Sequence, residues 1–261
     1  MHKYFKINKA NWDARVPVHV ASRFYNVEGF IRGGSSLLPL ELAEVGPVRG
    51  KRLLHLQCHF GLDTLSWARR GAAVTGVDFS TAAIARAREL SARSGVPGTF
   101  VLSDIYSLPR RLKERFDIVY ASYGVLCWMG DLTRWFRVAA HFLKPGGFLY
   151  VTDDHPFAGM YDDSGKSLQI DYFRTEPLRS PPAYTYTDGP KKKLPPTYEW
   201  FYTVSGLLDA VKGAGLGLEF FREHQFSAWR RFPGMKKGRD GLWRGSGVKL
   251  PLLFSLKAFR K

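Results

Sequence analysis

The chain has 261 residues, enough for one large α/β domain with additions or for two small domains, and one domain is the simpler expectation. Hydrophobic residues make up 45% and charged residues 24%, as in ordinary soluble globular proteins, whereas 15% aromatic residues is high. The longest apolar stretches, residues 142–151 and 250–256, are too short for a membrane-spanning helix, and no apolar run follows the basic first residues. We therefore expect neither a transmembrane helix nor a secretory signal, and we expect a cytoplasmic protein.

The formal net charge is +16, and residues 222–261 hold 11 basic and 2 acidic side chains. A positive field of this size attracts polyanions, so an acidic substrate or a nucleic acid is one candidate partner. A solvated surface rich in arginine is the simpler interpretation. The two cysteines, Cys58 and Cys127, are too few for a zinc cluster and lie in apolar segments. This pattern predicts reduced thiols and no redox role.

From residue 51 to residue 152, short apolar runs alternate with amphipathic segments. This alternation predicts a parallel sheet with helices on both faces, in which ligands bind at the carboxyl ends of the strands. The predicted strands cover residues 51–56, 72–78, 99–103, 116–121 and 148–152. The predicted helices cover residues 62–71, 81–94 and 132–142, and a turn is predicted at residues 144–147.

The alternating pattern ends after the fifth strand. Residues 153–196 are rich in Pro, Tyr, Asp, Ser and Lys and predict an insertion or lid, with a weak strand signal at residues 168–174. A helix at residues 204–214 and strands at residues 216–224 and 250–261 are predicted to follow, and the two strands are expected to form an antiparallel hairpin at the sheet edge. The sequence therefore predicts an α/β fold with a doubly wound, Rossmann-like seven-stranded sheet, mostly parallel with an antiparallel edge hairpin.

The predicted domain organisation places a helical cover before this sheet. Residues 1–45 carry Trp12, His19, Phe24 and Tyr25 and are expected to form helices over the site. Residues 46–261 are then the main domain, with the lid or substrate insertion at about residues 154–203.

The turn at residues 57–61, Gln-Cys-His-Phe-Gly, follows the first strand, where an open α/β sheet receives a nucleotide-like ligand. Gly61 begins the next helix, so backbone N–H groups and the helix dipole face a negative group bound there. Asp78 ends the second strand and is placed to accept hydrogen bonds from a ribose diol, and Phe79 offers a face to adenine. Asp104 follows the third strand and is placed to bind the adenine amine. Each acidic residue alone is equally well explained as a helix cap or a surface turn, but their occurrence after successive strands is a more specific pattern.

These segments resemble the class I S-adenosylmethionine-dependent methyltransferases, and within them a bacterial branch whose first motif reads Leu-His-Leu-Gln-Cys-His-Phe-Gly. The superfamily usually has an acidic residue at the place of His55 and glycines at those of Gln57 and His59, so only Gly61 of the glycine set remains. The loss weakens the motif, because glycine lets a backbone approach a ligand closely. The missing G-x-G-x-x-G fingerprint counts against a dinucleotide-binding Rossmann domain. The resemblance covers residues 12–25, 54–61, 74–80, 116–128, 143–147, 155–156, 198–200 and 251–254.

The resemblance implies S-adenosyl-L-methionine as the cofactor. Methyl transfer from a sulfonium needs alignment of the reacting atoms, and a base only where the acceptor must lose a proton. His155, just after the fifth strand, is the candidate base, with Asp153 or Asp154 as less direct candidates, although a histidine that packs or orients the lid explains it equally well. The other predicted catalytic residue is Tyr123, which with Trp128, Tyr198 and Trp200 is a candidate wall of the acceptor pocket. The predicted cofactor-binding residues are Tyr25, Gln57, Cys58, His59, Gly61, Asp63, Thr64, Asp78, Phe79, Ser80, Asp104, Ile105 and Ser122.

The predicted function is methyl transfer to a small or medium-sized molecule, with an oxygen, nitrogen or carbon acceptor. Residues 121–124 lack the Asn/Asp-Pro-Pro-aromatic motif of enzymes that methylate amino groups, and Cys127 is not followed by the proline of covalent cytosine methylation. No metal site is predicted, because the Asp153-Asp154 pair has no carboxylate partner after the fourth strand. The alternatives are an RNA methyltransferase that uses the basic carboxyl-terminal region and a non-catalytic S-adenosylmethionine-binding protein.

Overall fold

The computed structural model describes residues 3–245, 247 and 249–260. Residues 1 and 2 of the predicted cover and residue 261 of the predicted last strand lie outside this range. The helices are α1 Lys3–Val20, α2 Val27–Ile31, α3 Pro39–Val45, α4 Leu62–Arg69, α5 Thr81–Ser94, α6 Leu108–Arg111, α7 Leu132–Phe142, α8 Pro156–Gly159 and α9 Val204–Gly213. The strands are β1 Arg52–Leu56, β2 Ala73–Asp78, β3 Thr99–Leu102, β4 Phe116–Ser122, β5 Leu143–Asp154, β6 Leu178–Ser180, β7 Thr197–Glu199, β8 Leu216–His224, β9 Lys236–Lys237, β10 Trp243–Arg244 and β11 Leu253–Arg260. Each of these helices is too short or too polar to cross a membrane.

Seven strands form one sheet in the order β3-β2-β1-β4-β5-β11-β8. The first five are parallel, whereas β11 is antiparallel to both β5 and β8. The predicted doubly wound, mostly parallel sheet is therefore confirmed, and β8 rather than β11 forms its edge. The strand order reverses between β1 and β4, which is where open α/β sheets bind their ligands.

Local sequence signals explain the bounds of the two central helices. Ser80 caps α5 by accepting a hydrogen bond from the Ala83 N–H, and Gly95 ends this helix at a φ of 65°. Asp131 caps α7 by accepting from the Arg134 N–H. Both helices occupy the predicted residues, 81–94 and 132–142.

Three segments differ from the predictions. The turn predicted at residues 144–147 lies inside β5, where Gly146 has a φ of 74° and the pairing with β4 shifts its register. The weak strand signal at residues 168–174 gave no strand, and β6 and β7 instead form a short antiparallel pair within the predicted insertion. Phe24 and Tyr25 lie in the turn between α1 and α2 rather than on a helix.

The core packs on both faces of the sheet. On one face, Trp135, Phe136 and Phe142 of α7 are fully buried in a cluster that includes side chains of β4 and β5. On the other face, Trp67 of α4 and Tyr120 of β4 are buried together. Since α7 contributes three large rings to the first cluster, this helix anchors β4 and β5, whose carboxyl ends lead into the loops described below.

Truncating one of these rings should destabilise the protein. Phe136 is 0% exposed, so Phe136→Ala is expected to lower the free energy of unfolding by about 3–5 kcal/mol. The matched control is Arg137→Ala, at the next position of α7, where the side chain is exposed and the expected change is within about 0.5 kcal/mol. Urea unfolding followed by circular dichroism measures both values, and equal midpoints for the two variants would contradict the assignment of this face.

Candidate active site

A cleft of about 2190 Å³ opens at the carboxyl ends of the parallel strands. Its walls include the turn at residues 57–61, the ends of β2, β3, β4 and β5, part of α1, and two later segments at residues 184–186 and 228–233. Ligand sites usually have volumes of about 300–1,000 Å³. The cleft is therefore large enough for a nucleoside-sized cofactor and a second small molecule.

The structure brings most of the predicted site residues together in this cleft. Thr64 and Ser80 do not line it: both are buried, Thr64 forms a hydrogen bond with His55 Nδ1 at 2.8 Å, and Ser80 donates to Asp13 at 2.6 Å. The predicted residues that line the cleft are Tyr25, Gln57, Cys58, His59, Gly61, Asp63, Asp78, Phe79, Asp104, Ile105, Ser122 and Tyr123.

The turn after β1 keeps a left-handed backbone without the usual glycines. Gln57 has a φ of 56°, His59 a φ of 50° and Gly61 a φ of 82°. A non-glycine residue in this region costs about 1 kcal/mol or more, so its surroundings must stabilise it. The Gln57 amide does so at two points: its Oε1 accepts from Trp135 Nε1 at 2.8 Å, and its Nε2 donates to the Val125 carbonyl at 2.8 Å.

The second non-glycine residue of the turn, His59, belongs to a chain of hydrogen bonds. Its Nε2 lies 3.0 Å from His19 Nδ1, and His19 Nε2 lies 2.8 Å from Thr185 Oγ1. Burial lowers the pKa of both imidazoles, that of His19 to about 3, so both rings are neutral at neutral pH. The Nδ1 of His59 is buried and has no hydrogen-bond partner among the described residues. His59, a residue that lines the cleft, therefore has a buried polar atom without a partner among the described residues.

Asp78 holds the turn from the next strand. One carboxylate oxygen accepts from the His59 N–H at 2.9 Å and the other from the Ser80 N–H at 2.8 Å. Burial raises its pKa to about 7. A carboxylate has about four lone-pair positions, so Asp78 can still accept bonds from a ligand.

Two other predicted residues combine a structural contact with a place in the cleft. Asp104 caps the 3-10 turn Ile105–Ser107 by accepting from the Ser107 N–H at 2.9 Å. At Gly61, a Cβ atom would lie 2.8 Å from the ring of Phe100 in β3, so this glycine is required by the close approach of β3 as well as by its positive φ. The ligand-binding and structural interpretations of these residues are thus compatible.

Glu41 is a buried acid that the sequence analysis missed. It is 0% exposed, it accepts hydrogen bonds from the hydroxyls of Tyr120 and Tyr123, and burial raises its pKa to about 8. Tyr123 itself has a φ of 48° and lines the cleft. The only sequence signal for Glu41 was a lone carboxylate in the mostly apolar run at residues 37–43. Its protonated form at neutral pH fits a role in holding Tyr123.

The predicted candidate base, His155, does not reach the cleft. It is 1% exposed, its Nδ1 accepts from the Phe157 N–H at 3.2 Å at the start of α8, and its Nε2 lies 2.9 Å from Glu223 Oε1. Its ring stacks on Phe157 at 5.3 Å. At this position the imidazole caps α8 and packs on Phe157, and it is not part of the cleft lining.

The two aspartates before His155 have different surroundings. Asp153 accepts hydrogen bonds from the backbone N–H groups of Gly124, Val125 and Leu126 and so anchors the loop after β4. Asp154 lines the cleft and accepts from Trp229 Nε1 at 3.1 Å. Burial, and next the neighbouring Asp153, raise its pKa to about 7. Asp154 is thus an acid in the cleft that titrates near neutral pH.

Aromatic side chains form much of the remaining wall. Trp12 of α1 and Trp128 of the loop after β4 meet edge to face at 5.4 Å. Trp200 also lines the cleft, whereas Tyr198 packs on Tyr4 at 4.6 Å and is not part of the lining. Three of the four aromatic residues proposed as acceptor walls, Tyr123, Trp128 and Trp200, therefore contact the cleft.

The left-handed turn gives a test that reverses the usual ranking of alanine and glycine. Gln57→Ala and Gln57→Gly both lose the two amide hydrogen bonds, but only alanine is strained at this φ. We expect Gln57→Ala to be less stable than Gln57→Gly by about 1 kcal/mol in urea unfolding. In the control pair, Arg137→Ala should be more stable than Arg137→Gly by a similar amount, because that residue is helical. The same ranking at both positions would contradict the strain at Gln57.

Comparison with known proteins matches one segment that lines the cleft to a protein family. Residues 53–147 match a family model described as a methyltransferase domain. The ubiquinone biosynthesis O-methyltransferase of Photorhabdus laumondii is 30% identical over 137 residues, which are 51% of this chain and 57% of that protein. The chain thus spans a little over half the length of the curated relatives that it matches.

Solved structures agree on the fold. An S-adenosylmethionine-dependent methyltransferase from Mesorhizobium loti superposes with a TM-score of 0.57 at 21% identity, covering 88% of this chain and 100% of that chain. A structure from Listeria monocytogenes, described as a putative enzyme of the same kind, gives a TM-score of 0.61 at 17% identity, covering 85% and 96%. Residues 53–147 therefore match a methyltransferase domain, and the fold of the chain is the one found in solved S-adenosylmethionine-dependent methyltransferases.

Proposed function

We propose that this protein is an S-adenosylmethionine-dependent methyltransferase acting on a small or medium-sized molecule. The observation that carries the proposal is that the segment matching the methyltransferase domain, residues 53–147, also supplies the floor of the large cleft. The names of the curated relatives favour oxygen as the acceptor atom. We also assign the chain to the branch whose first motif is Leu-His-Leu-Gln-Cys-His-Phe-Gly, with residues 1–45 as a cover and residues 154–203 as the substrate-binding insertion of a cytoplasmic enzyme.

The residues in the cleft fit the proposed cofactor. The turn at residues 57–61 has positive φ at three positions, and the buried Nδ1 of His59 lacks a partner that a ligand can supply. Asp78 would hold the ribose, with Phe79 and Asp104 near the adenine, because they line the cleft at the ends of β2 and β3. The bound cofactor supplies an electrophilic methyl group on a sulfonium. This fit argues against the view that the missing glycines abolish cofactor binding.

Asp154 takes the place of His155 as the proposed base. An acceptor hydroxyl next to Asp154 can pass its proton to the carboxylate, whose pKa of about 7 makes it both ionised and basic near neutral pH. Trp229 donates to this carboxylate and so fixes its orientation. The rings of Trp128 and Trp229 line the cleft and can shield a bound acceptor from water, which favours productive alignment.

The distribution of basic side chains favours a small acceptor over RNA. Several residues of the basic carboxyl-terminal segment are engaged within the chain: Arg222 pairs with Glu44 at 2.8 Å, and Lys257 pairs with Glu219 at 3.3 Å. Arg260 donates to a backbone carbonyl at 2.6 Å. Such residues are less available to phosphates than a free basic stripe would be. An RNA substrate would require affinity that falls steeply with added salt.

Cofactor binding is the first test of this proposal. Calorimetric titration should show S-adenosylmethionine and S-adenosylhomocysteine binding to the wild-type protein, and Asp78→Ala should weaken both by tenfold or more, since it loses the ribose contact and the hydrogen bond to the turn. Asp117→Ala, a partly exposed aspartate at the opposite end of β4, is the control and should bind normally. Unchanged affinity in Asp78→Ala would remove the proposed ribose site.

The pH dependence of methyl transfer tests the base. With methyl-labelled cofactor and a panel of phenols and catechols, the wild-type kcat should rise with pH as Asp154 ionises, with a midpoint at or below about 7 because the cationic cofactor favours the ionised carboxylate. Asp154→Asn is expected to lower kcat by a factor of about 10²–10⁴ and to abolish this rise. His155→Asn serves as the comparison and should keep the rise, because that side chain lies outside the cleft. A rise that survives in Asp154→Asn and disappears in His155→Asn would restore His155 as the base.

A further inference from the structure

Arg15 is a half-buried cation in the cleft without an acidic partner. It lies on α1, its Nε donates to Asn11 Oδ1 at 2.6 Å, and its guanidinium lies over the rings of Trp12 at 4.8 Å and Trp128 at 5.5 Å. Among the described residues, no carboxylate forms an ion pair with it. The stacked guanidinium thus has N–H donors left for an anion.

Each of the other cations that line the cleft either has a carboxylate partner or is exposed to solvent. Arg23 is exposed and pairs with Asp188 at 2.7 Å. Arg231 is half-buried, and its guanidinium lies 3.6 Å from the carboxylate of Asp163. The remaining cations are exposed to solvent and lie at Arg111, Arg134, Arg230, Lys237 and Arg239. Desolvation without a carboxylate therefore sets Arg15 apart, and a partly desolvated cation favours a ligand of opposite charge.

A series of ring contacts connects Arg15 with Asp154. Trp12, which Arg15 covers, meets His19 at 6.1 Å, and His19 meets Tyr186 at 5.2 Å. The Tyr186 ring lies 5.8 Å from that of Trp229, whose Nε1 donates to Asp154. Of these rings, Trp12, Tyr186 and Trp229 line the cleft and offer faces and edges to a flat molecule, whereas His19 is buried behind them.

On the basis of the proposed methyltransferase function, we propose that the acceptor is an aromatic hydroxy acid whose carboxylate is bound by Arg15 and whose ring lies against the aromatic side chains of the cleft. A planar guanidinium binds a carboxylate through two parallel hydrogen bonds, which fixes orientation as well as charge.

The cofactor's own carboxylate has another expected place, at the turn after β1 where Gly61 is the N-cap residue of α4 and the helix dipole favours a negative group, so Arg15 is left for the acceptor. The expected ribose and adenine contacts lie at the ends of β2 and β3, on one side of the switch point between β1 and β4. Arg15 stacks on Trp128, which follows β4 on the other side. Asp154 ends β5, on that same side.

The test compares two probes of the same shape and different charge. Calorimetry with S-adenosylhomocysteine present measures the affinity of 3,4-dihydroxybenzoate and of the uncharged 3,4-dihydroxybenzamide. The wild-type protein should bind the benzoate at least tenfold more tightly. Arg15→Gln should reduce this preference to less than twofold, and Arg15→Lys should keep part of it because it keeps the charge. Arg137→Gln removes an exposed cation from α7, outside the cleft, and should keep the full preference.

The outcomes separate this inference from the function on which it rests. If S-adenosylhomocysteine does not bind to the wild-type protein, the proposed function itself fails. If it binds but the wild-type protein binds neither probe or does not distinguish them, only the inference about the acceptor is overturned. A tenfold loss of S-adenosylhomocysteine affinity in Arg15→Gln would assign Arg15 to the cofactor and would also overturn the inference. Should Arg15→Gln fail to fold, the wild-type comparison of probes and the Arg15→Lys variant decide the question.

Discussion

The left-handed turn after β1 is the constraint on which the rest of the site depends. Its backbone conformation normally favours glycine, yet Gln57 and His59 adopt it here. The strain is tolerated because each side chain is fixed by partners from other elements: Trp135 of α7 and the carbonyl of Val125 hold Gln57, and His19 of α1 holds His59. The two bulky residues thus connect the turn to its neighbours, which glycines would leave without side-chain contacts.

These contacts also explain how irregular segments become walls of the cleft. The hydrogen bonds that begin at His59 continue through His19 to Thr185, in the segment that follows β6. Nearby, the hydroxyls of Tyr25 and Tyr186 are hydrogen-bonded to each other. Residues before the sheet and residues after β5 therefore meet above the same turn. Neutral imidazoles suit this position, because a charged pair of buried histidines would repel.

Elements with strong local signals were predictable from the sequence. The α5 and α7 bounds matched because a side-chain cap starts each helix and, in α5, a glycine follows. The insertion was not predictable in detail, since β6 and β7 pair across residues 181–196 and little in their local sequence marks them as strands. The spacing of apolar residues indicates which face of a helix or strand is buried, but it does not indicate which distant segment covers that face.

Within the site too, features set by local sequence could be predicted, whereas features set by contacts between distant segments could not. Residues at strand ends were identifiable, because parallel strands bring their carboxyl ends to one edge whatever the loops do. The choice between Asp154 and its neighbour His155 depended instead on the direction of each side chain at the end of β5. His155 packs against Phe157, whereas Asp154 accepts a hydrogen bond from Trp229. Arg15 offered no local signal, because its role arises from two tryptophans, one of them more than 100 positions away.

The cleft contains buried aspartates whose pKa values are raised by burial, a local property that the net charge of +16 does not indicate. Desolvation raises the pKa of Asp63 and brings those of Asp78 and Asp154 to about 7. A cationic ligand beside buried carboxylates lowers their pKa again, because it stabilises the ionised form. By linkage, ionised carboxylates bind that cation more tightly, so a sulfonium cofactor and ionised acids at the strand ends favour each other. A positively charged protein can therefore hold a positively charged cofactor, since the local carboxylates, and not the total charge, set the potential in the cleft.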